Sequence, residues 1–415
     1  MGAEAQTYAL LERVFREEAG RLTASLVRLL GDFDLAEEMV SEAVVEALAH
    51  WPREGTPERP TSWLLTTAKR KGLDRLRRQR KYQQKLALVA TIEQQPHVDS
   101  DDRLSLIFTC CHPVLGREAQ VALTLRAVAG LTTQEIARAF MVSEDTLAKR
   151  IVRAKRKIVD STVPYRIPPA DELASRLNEV LTVIYLVFNE GYVATAGSQA
   201  IRRDLAQDAE WLATLLMRLM PNEPEVIGLV ALIRLHLARW PARLDAIGNL
   251  VVLAEQDRSL WDRHRIDEAV RLIERASGFQ RPGQYLTEAS IAAVHCEASS
   301  WEKTDWPQLL ALYDLLAQID PSPIVTLNRA VALSHIDGAA VALREVESTA
   351  NVLSHYYLYH ATRAVLLREV GRHTEADAAE THAIRLTRNE AEKELMGRRL
   401  SRKPDLIGQV IEPPV

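Results

Sequence analysis

The sequence predicts an all-α protein of more than one domain, and three observations carry that prediction. Apolar residues recur at spacings of three and four along most of the chain, while no alternating strand pattern persists. The stretch Ala129 to Ile158 contains two helix starts, each marked by a capping residue. Two segments near the C-terminus begin with the same Arg-Ala-Val triplet at Arg329 and Arg363, an offset of 34 residues. The 415 residues suffice for several domains, and 47% apolar with 26% charged residues is an ordinary globular composition.

The first clear element is DLAEEMVSEAVVEALAHW, residues 34 to 51, where apolar and acidic positions alternate at helical spacing. Glu38, Glu42 and Glu46 stack every four residues along one face, where like charges repel by a few tenths of a kcal/mol per pair. A bare acidic face of this kind suits a basic protein partner. The loop Pro52 to Pro60 follows, and then SWLLTTAKRKGLDRLRRQRK, whose Trp63, Leu64, Ala68, Leu73 and Leu76 are spaced for a buried stripe. Lys69, Arg70, Arg77 and Arg80 lie on the opposite face, as a helix gripping a nucleic-acid backbone would carry them. Trp63, at the helix start beside leucine, reads as core rather than as a stacking residue. The polar, acidic stretch Gln94 to Asp102 reads as a linker.

The segment AGLTTQEIARAFMVSEDTLAKRIVRAKRKI, Ala129 to Ile158, reads as a helix-turn-helix. Thr132 and Glu135 form a capping box ahead of Ile136, Ala137 and Phe140. Ser143 caps the second helix and places Glu144, Asp145 and Thr146 in its first turn, beside the positive end of the helix dipole. Leu147, Ile151 and Ala154 face the core, so the six basic residues between Lys149 and Lys157 line the outside, where DNA phosphates would lie. Met141 stands at the turn position usually held by a left-handed glycine, a substitution that costs on the order of 1 kcal/mol.

Charge is uneven along the chain. Residues 1 to 165 hold 25 basic and 22 acidic side chains, whereas residues 166 to 415 hold 27 and 34. Within the first part, Lys69 to Lys81 holds eight bases and one acid, and Asp32 to Glu46 holds six acids and no base. Two surfaces of opposite sign suggest two different partners. Three cysteines are too few for a disulfide framework, and no apolar run reaches membrane-spanning length, so a cytoplasmic location without membrane contact is expected. Cys110, Cys111 and His112 have no second cluster at ligand spacing; they read as small core residues, and neither a metal nor another cofactor is expected.

An acidic helix, a Trp-Leu basic helix and a helix-turn-helix in this order, through DLAEEMVSEAVVEAL, RPTSWLLTTAKRKGLDRLRR and LTTQEIARAFMVSEDTLAKRIVRAKRKI, resemble regions two and four of bacterial sigma-70 family factors. The closest resemblance is to the extracytoplasmic-function group. It implies that Asp34, Glu37, Glu38 and Glu42 meet the beta-prime clamp helices of core RNA polymerase. It implies that the loop Glu54 to Pro60, with Lys69, Arg70, Asp74, Arg77 and Arg78, opens the minus-10 element of promoter DNA. In the minus-35 element, Glu144, Asp145, Thr146, Ala148 and Lys149 would approach base edges, and Arg150, Arg153, Lys155 and Arg156 would hold phosphates. The implied organisation is region two over 1–82, a linker over 83–102, region four over 103–162 and a second linker over 163–170.

Beyond VPYRIPP, Val163 to Pro169, the chain turns helical and acidic, and the 34-residue offset is the tetratricopeptide period. Residues 171–415 are therefore expected to form a tetratricopeptide-like extension, with Glu223 to Leu237 and Asp305 to Gln318 as further helices. FNEGY, from Phe188, and EQDRSLWDR, from Glu255, also resemble the sigma subgroup with such an extension. Their Glu190, Asp257, Arg258 and Asp262 read as buried ion pairs rather than as catalytic acids, because no nucleophile, metal cluster or cofactor loop accompanies them. No enzymatic activity is expected. A repeat domain offers a concave face, so docking on the sigma module is the expected regulatory role. The rival readings are a stand-alone helix-turn-helix regulator with a sensing repeat domain, and an enzyme with an appended helix-turn-helix. Both leave the acidic helix and its basic successor unexplained.

Overall fold

The computed structural model describes residues 18, 20–78, 102–140, 142–192, 203–245, 249–387 and 393–397. Helices dominate, and among these residues the sole strand-like feature is an isolated antiparallel bridge between Leu244 and Leu250. The chain forms two compact units, residues 1–186 and 187–415. The expected linker segment 94–101 and the turn residue Met141 lie outside the described residues.

The first unit opens with α1 (20–30) and α2 (Phe33–Glu54). Asp32 caps α2, its Oδ1 accepting from the Leu35 amide at 2.9 Å. Phe33, Ala36, Met39, Val40, Ala43, Ala47 and Trp51 recur at spacings of three and four and are buried together. Helix α3 (Pro60–Arg78) starts on proline, which has no amide hydrogen to leave unpaired, and runs back antiparallel to α2 with Leu64, Ala68 and Leu76 buried.

Four helices follow: α4 (Asp102–Cys110), α5 (Arg117–Ala127), α6 (Thr133–Ala139) and α7 (Glu144–Asp160). The capping box forms as expected, the Thr132 amide donating to Glu135 Oε2 at 2.7 Å and the Glu135 amide to Thr132 Oγ1 at 3.1 Å. Ser143 Oγ accepts from the Thr146 amide at 3.2 Å. Leu147, Ile151, Ala154 and Ile158 then pack inward beneath α7. Cys110 and Cys111 are fully buried; Cys111 Sγ sits 3.4 Å from Thr124 Oγ1, and burial pushes its thiol up to about 12.

The expected linker 163–170 gives way to α8 (Ala170–Tyr192). The first turns of α8 belong to the first unit. There Arg176 donates to the Phe108 carbonyl at 2.6 Å, and Glu179 pairs with Arg117 at 2.7 Å.

The second unit continues with α9 (Arg203–Leu219), α10 (Pro224–Ala238), α11 (Arg263–Ser277), α12 (Gln284–Glu297) and α13 (Trp306–Ile319). It ends with α14 (Pro323–Asp337), α15 (Ala339–Ser348), α16 (Ala350–Leu353), α17 (Tyr357–Glu369) and α18 (His373–Leu386). Helix α10 is apolar on nearly every face and buried accordingly, with α11 and α12 packed against it. The 34-residue offset is visible in space. Arg329 on α14 reaches Glu345 on α15 at 2.7 Å, and Arg363 on α17 reaches Glu347 on α15 and Glu375 on α18 at 3.0 and 3.8 Å. Gly338 and Gly371, at φ +83° and +80°, let the chain turn between the helices of each pair.

Asp257, Arg258 and Asp262 are not the buried ion pairs expected from sequence. Asp257 is exposed and accepts from the Ser259 amide, and Asp262 caps α11 through the Arg265 amide. Arg258 is buried and donates instead to the carbonyls of His295 and Ala298, both at 2.6 Å. Turn amides and helix-end carbonyls, rather than one another, are the hydrogen-bond partners of Asp257, Asp262 and Arg258.

Candidate nucleic-acid and partner interface

Helix α7 presents Glu144, Asp145, Thr146, Lys149, Arg153, Arg156 and Lys157 to solvent, with Ala148 and Arg150 half-buried at the margins. The outward cations are lightly held. Lys149 pairs with Asp145 at 2.7 Å and Arg156 with Asp160 at 3.6 Å, both one turn away and both exposed. Arg150 reaches Glu118 at 2.6 Å. Exposed pairs of this kind are worth under about 1 kcal/mol, so an incoming phosphate competes with them easily. Val152, 59% exposed among these cations, was not foreseen from sequence; its exposure puts an apolar side chain on the basic face.

Lys155 departs from the expected outward set. Its side chain is 8% exposed and its Nζ lies 2.9 Å from Asp34 Oδ1 and 3.1 Å from Glu37 Oε1. The reason is positional: Lys155 follows Ile151 by four residues, so it falls at the edge of the inward stripe.

The acidic face of α2 is likewise not bare. Glu38 meets Arg75 at 2.8 Å, Glu46 meets Arg70 at 3.0 Å, and Lys71 bridges Glu42 at 3.3 Å and Glu46 at 2.9 Å. Lys71 holds the Glu46 carboxyl below the usual carboxylate range, chiefly by their hydrogen bond, and is itself raised by it. Thus α2 and α3, expected to face two different partners, neutralise part of each other. Toward a partner, α3 offers the half-buried Lys69, Arg70, which stays 65% exposed while paired with Glu46, and the surface pair Asp74–Arg77 at 3.4 Å. The side chain of Arg78 lies outside the described residues. Glu54, Gly55, Thr56, Glu58 and Arg59 in the preceding loop are exposed. Trp63 is half-buried, edge-on to the buried Trp51 with ring centroids 5.5 Å apart.

Among the described residues, no group of His, Cys, Asp and Glu side chains is arranged to hold a metal ion, and no helix is long and apolar enough to cross a membrane. His112 is occupied within its own turn, where its Nδ1 accepts from the Val114 amide at 3.1 Å.

An acidic–basic helix pair followed by a capped helix-turn-helix with a cationic outer face defines a DNA-binding transcription protein. Residues 14–82 match Sigma-70 region 2, residues 105–158 match Sigma-70, region 4, and residues 176–277 match a family of unknown function, DUF6596. The chain is also 43% identical, over 379 residues, to the uncharacterized protein R00370 of Rhizobium meliloti (strain 1021), an alignment covering 89% of this chain and 90% of that one. The chain belongs to the sigma-70 family: it is an RNA polymerase sigma factor of the extracytoplasmic-function type with a C-terminal helical extension.

Proposed function

We propose that this sigma factor binds core polymerase through Asp34, Glu37, Glu38 and Glu42 on the clamp helices. Lys69, Arg70, Asp74, Arg77 and Arg78 with the Glu54–Pro60 loop open the minus-10 element. Glu144, Asp145, Thr146, Ala148 and Lys149 meet base edges at minus-35, while Arg150, Arg153 and Arg156 hold phosphates; Lys155 joins them once released from α2. Val152 adds an apolar contact of the kind that reads a thymine methyl. The observation that carries this reading is the division of α7 into a buried apolar face and an exposed face of capped acids and bases. The C-terminal unit regulates the module in place of a separate inhibitor.

Co-elution with core polymerase and run-off transcription from the DNA upstream of its own gene test the proposal. Binding with specific initiation is the expected result. Binding to duplex DNA without polymerase, as a dimer on a palindrome, would favour a stand-alone regulator instead. For the regulatory role, removal of residues beyond Leu186 should change promoter activity, and unchanged activity would refute it.

A further inference from the structure

This inference rests on the reading of α7 as the minus-35 helix and deepens it. We propose that Asp145 and Lys149 read one base pair together. The ammonium takes the keto oxygen of one base and the carboxylate takes the amino group of its partner, so the protein selects G·C at that position, with guanine on the Lys149 side.

Asp145 and Lys149 form one unit at the reading end of the helix. Asp145 Oδ2 lies 2.7 Å from Lys149 Nζ, and both side chains stand out from the protein, 71% and 66% exposed. They sit one turn apart with the acid first, the order that suits both the pair and the helix dipole. The turn that carries Asp145 is fixed, because Ser143 Oγ accepts from the Thr146 amide at 3.2 Å and donates to Thr146 Oγ1 at 2.7 Å. A recognition helix meets base edges with its N-terminal residues. The similar pair Arg156–Asp160 lies at the far end of α7, and Arg150 pairs across to Glu118 on α5.

Both members keep spare hydrogen-bonding capacity. Among the described residues, Asp145 Oδ1 accepts no hydrogen bond, and Lys149 Nζ spends one of its three protons. A G·C pair shows the major groove two acceptors, guanine N7 and O6, and then one donor, cytosine N4. O6 and N4 are hydrogen-bonded to each other and so stand about 2.9 Å apart. The Lys149 and Asp145 atoms are 2.7 Å apart, and the ion pair therefore fits the base pair edge to edge, with each donor against an acceptor.

The other base pairs fail by sign. C·G and A·T set an amino group against the ammonium and a keto oxygen against the carboxylate. T·A keeps the keto–amino order, but its second acceptor, adenine N7, falls on the carboxylate side, whereas guanine N7 falls on the ammonium side. The order of preference is G·C, then T·A, then the other two. Neither residue reads the pair alone. A lone carboxylate in the groove meets the phosphate charge unaccompanied, and a lone ammonium on its flexible stem is drawn to a phosphate.

Full-length protein with core polymerase is assayed by competitive run-off transcription on templates that carry each single base-pair change across the minus-35 region upstream of its own gene. At one position the parent should favour G·C over C·G about tenfold. Asp145→Ala and Lys149→Ala should each level that preference, and the double alanine variant should lose no more, because the two side chains act as one reader. Exchanging the charges, Asp145→Lys with Lys149→Asp, should turn the preference to C·G at the same position. Alanine variants that leave the profile unchanged overturn the inference, as do losses at two separate positions, one for each residue, or an exchanged protein that still favours G·C. A parent that initiates equally from every template overturns the reading of α7 itself, a result distinct from a discriminating profile that the variants do not alter.

Discussion

Gly228 sets two physical effects against each other, and the geometry decides between them. In a helix interior, Gly→Ala ordinarily stabilises by about 0.5–1 kcal/mol through backbone entropy, and burying the methyl group adds about 0.8 kcal/mol. At Gly228 of α10, however, a Cβ would lie 2.6 Å from the Leu286 amide nitrogen, 2.7 Å from its Cα and 3.0 Å from the Tyr285 carbonyl carbon. All three are backbone atoms of α12, and ordinary carbon contacts begin near 3.5 Å. Helix α12 must therefore retreat by roughly 1 Å. Retreat stretches the bonds by which Glu225 caps α12, now 3.0 and 3.2 Å to the Tyr285 and Leu286 amides. Overpacking costs about 1–3 kcal/mol and two weakened bonds to a carboxyl cost about 1–3 more, against the gain of about 1.5. The net expectation is a loss of about 2 kcal/mol, or about 4–8 °C in the melting of a unit this size. Calorimetry on the full-length protein checks it, and a Gly228→Ala melting temperature equal to or above the parent's would refute the close-approach argument.

Three further outcomes follow from particular side chains. Arg153→Ala and Arg156→Ala should each weaken promoter binding about equally on matched and mismatched minus-35 sequences and reduce the salt-dependence slope by about 0.9, measured by titration at several ionic strengths. Ser143→Ala should cost about 1 kcal/mol in chemical denaturation of the first unit, because the Thr146 amide loses its cap. Burial raises the Glu288 carboxyl from 4.5 to about 8, so the folded state keeps a proton that the unfolded chain releases. Stability then falls as pH rises between those values, and Glu288→Gln should gain in melting temperature over the parent progressively from pH 5 to pH 9.

The local signals in the sequence were sufficient for what is local in the structure. Thr132, Glu135 and Ser143 cap within three residues of themselves, and each bond forms as its spacing implies. The stripes beneath α2, α3 and α7 follow from periodicity alone. Charge pairing between helices was not legible in the same way. Whether Glu38, Glu42 and Glu46 face a partner or face Arg70, Lys71 and Arg75 depends on the antiparallel register of α2 and α3, which no single helix encodes. Lys155 carried a readable clue in its four-residue step from Ile151, but six cations in nine residues invite an outward reading of all of them. Asp257, Arg258 and Asp262 erred for another reason: adjacent opposite charges suggest ion pairs, whereas turn backbone offers amides and carbonyls closer at hand.

The position of α8 gives two truncations different meanings. Cutting after Pro164, at the end of the helix-turn-helix, also removes the first turns of α8. These carry Arg176, which satisfies the Phe108 carbonyl at the end of α4, and Glu179, which pairs with Arg117 at the start of α5. They also carry Leu177, Val180 and Ile184, all buried. Loss of promoter activity in that fragment would conflate a weakened DNA-binding domain with loss of regulation. Cutting after Leu186 keeps these contacts and removes the second unit alone. The fragment 1–186 should therefore melt at a clearly higher temperature than 1–164, by several degrees for a difference of about 2 kcal/mol in a unit of this size. Equal melting of the two fragments would mean that α8 is a passive tether. A higher melting temperature for 1–186 would make it a structural part of the sigma module, and then only the longer fragment isolates what the C-terminal unit does.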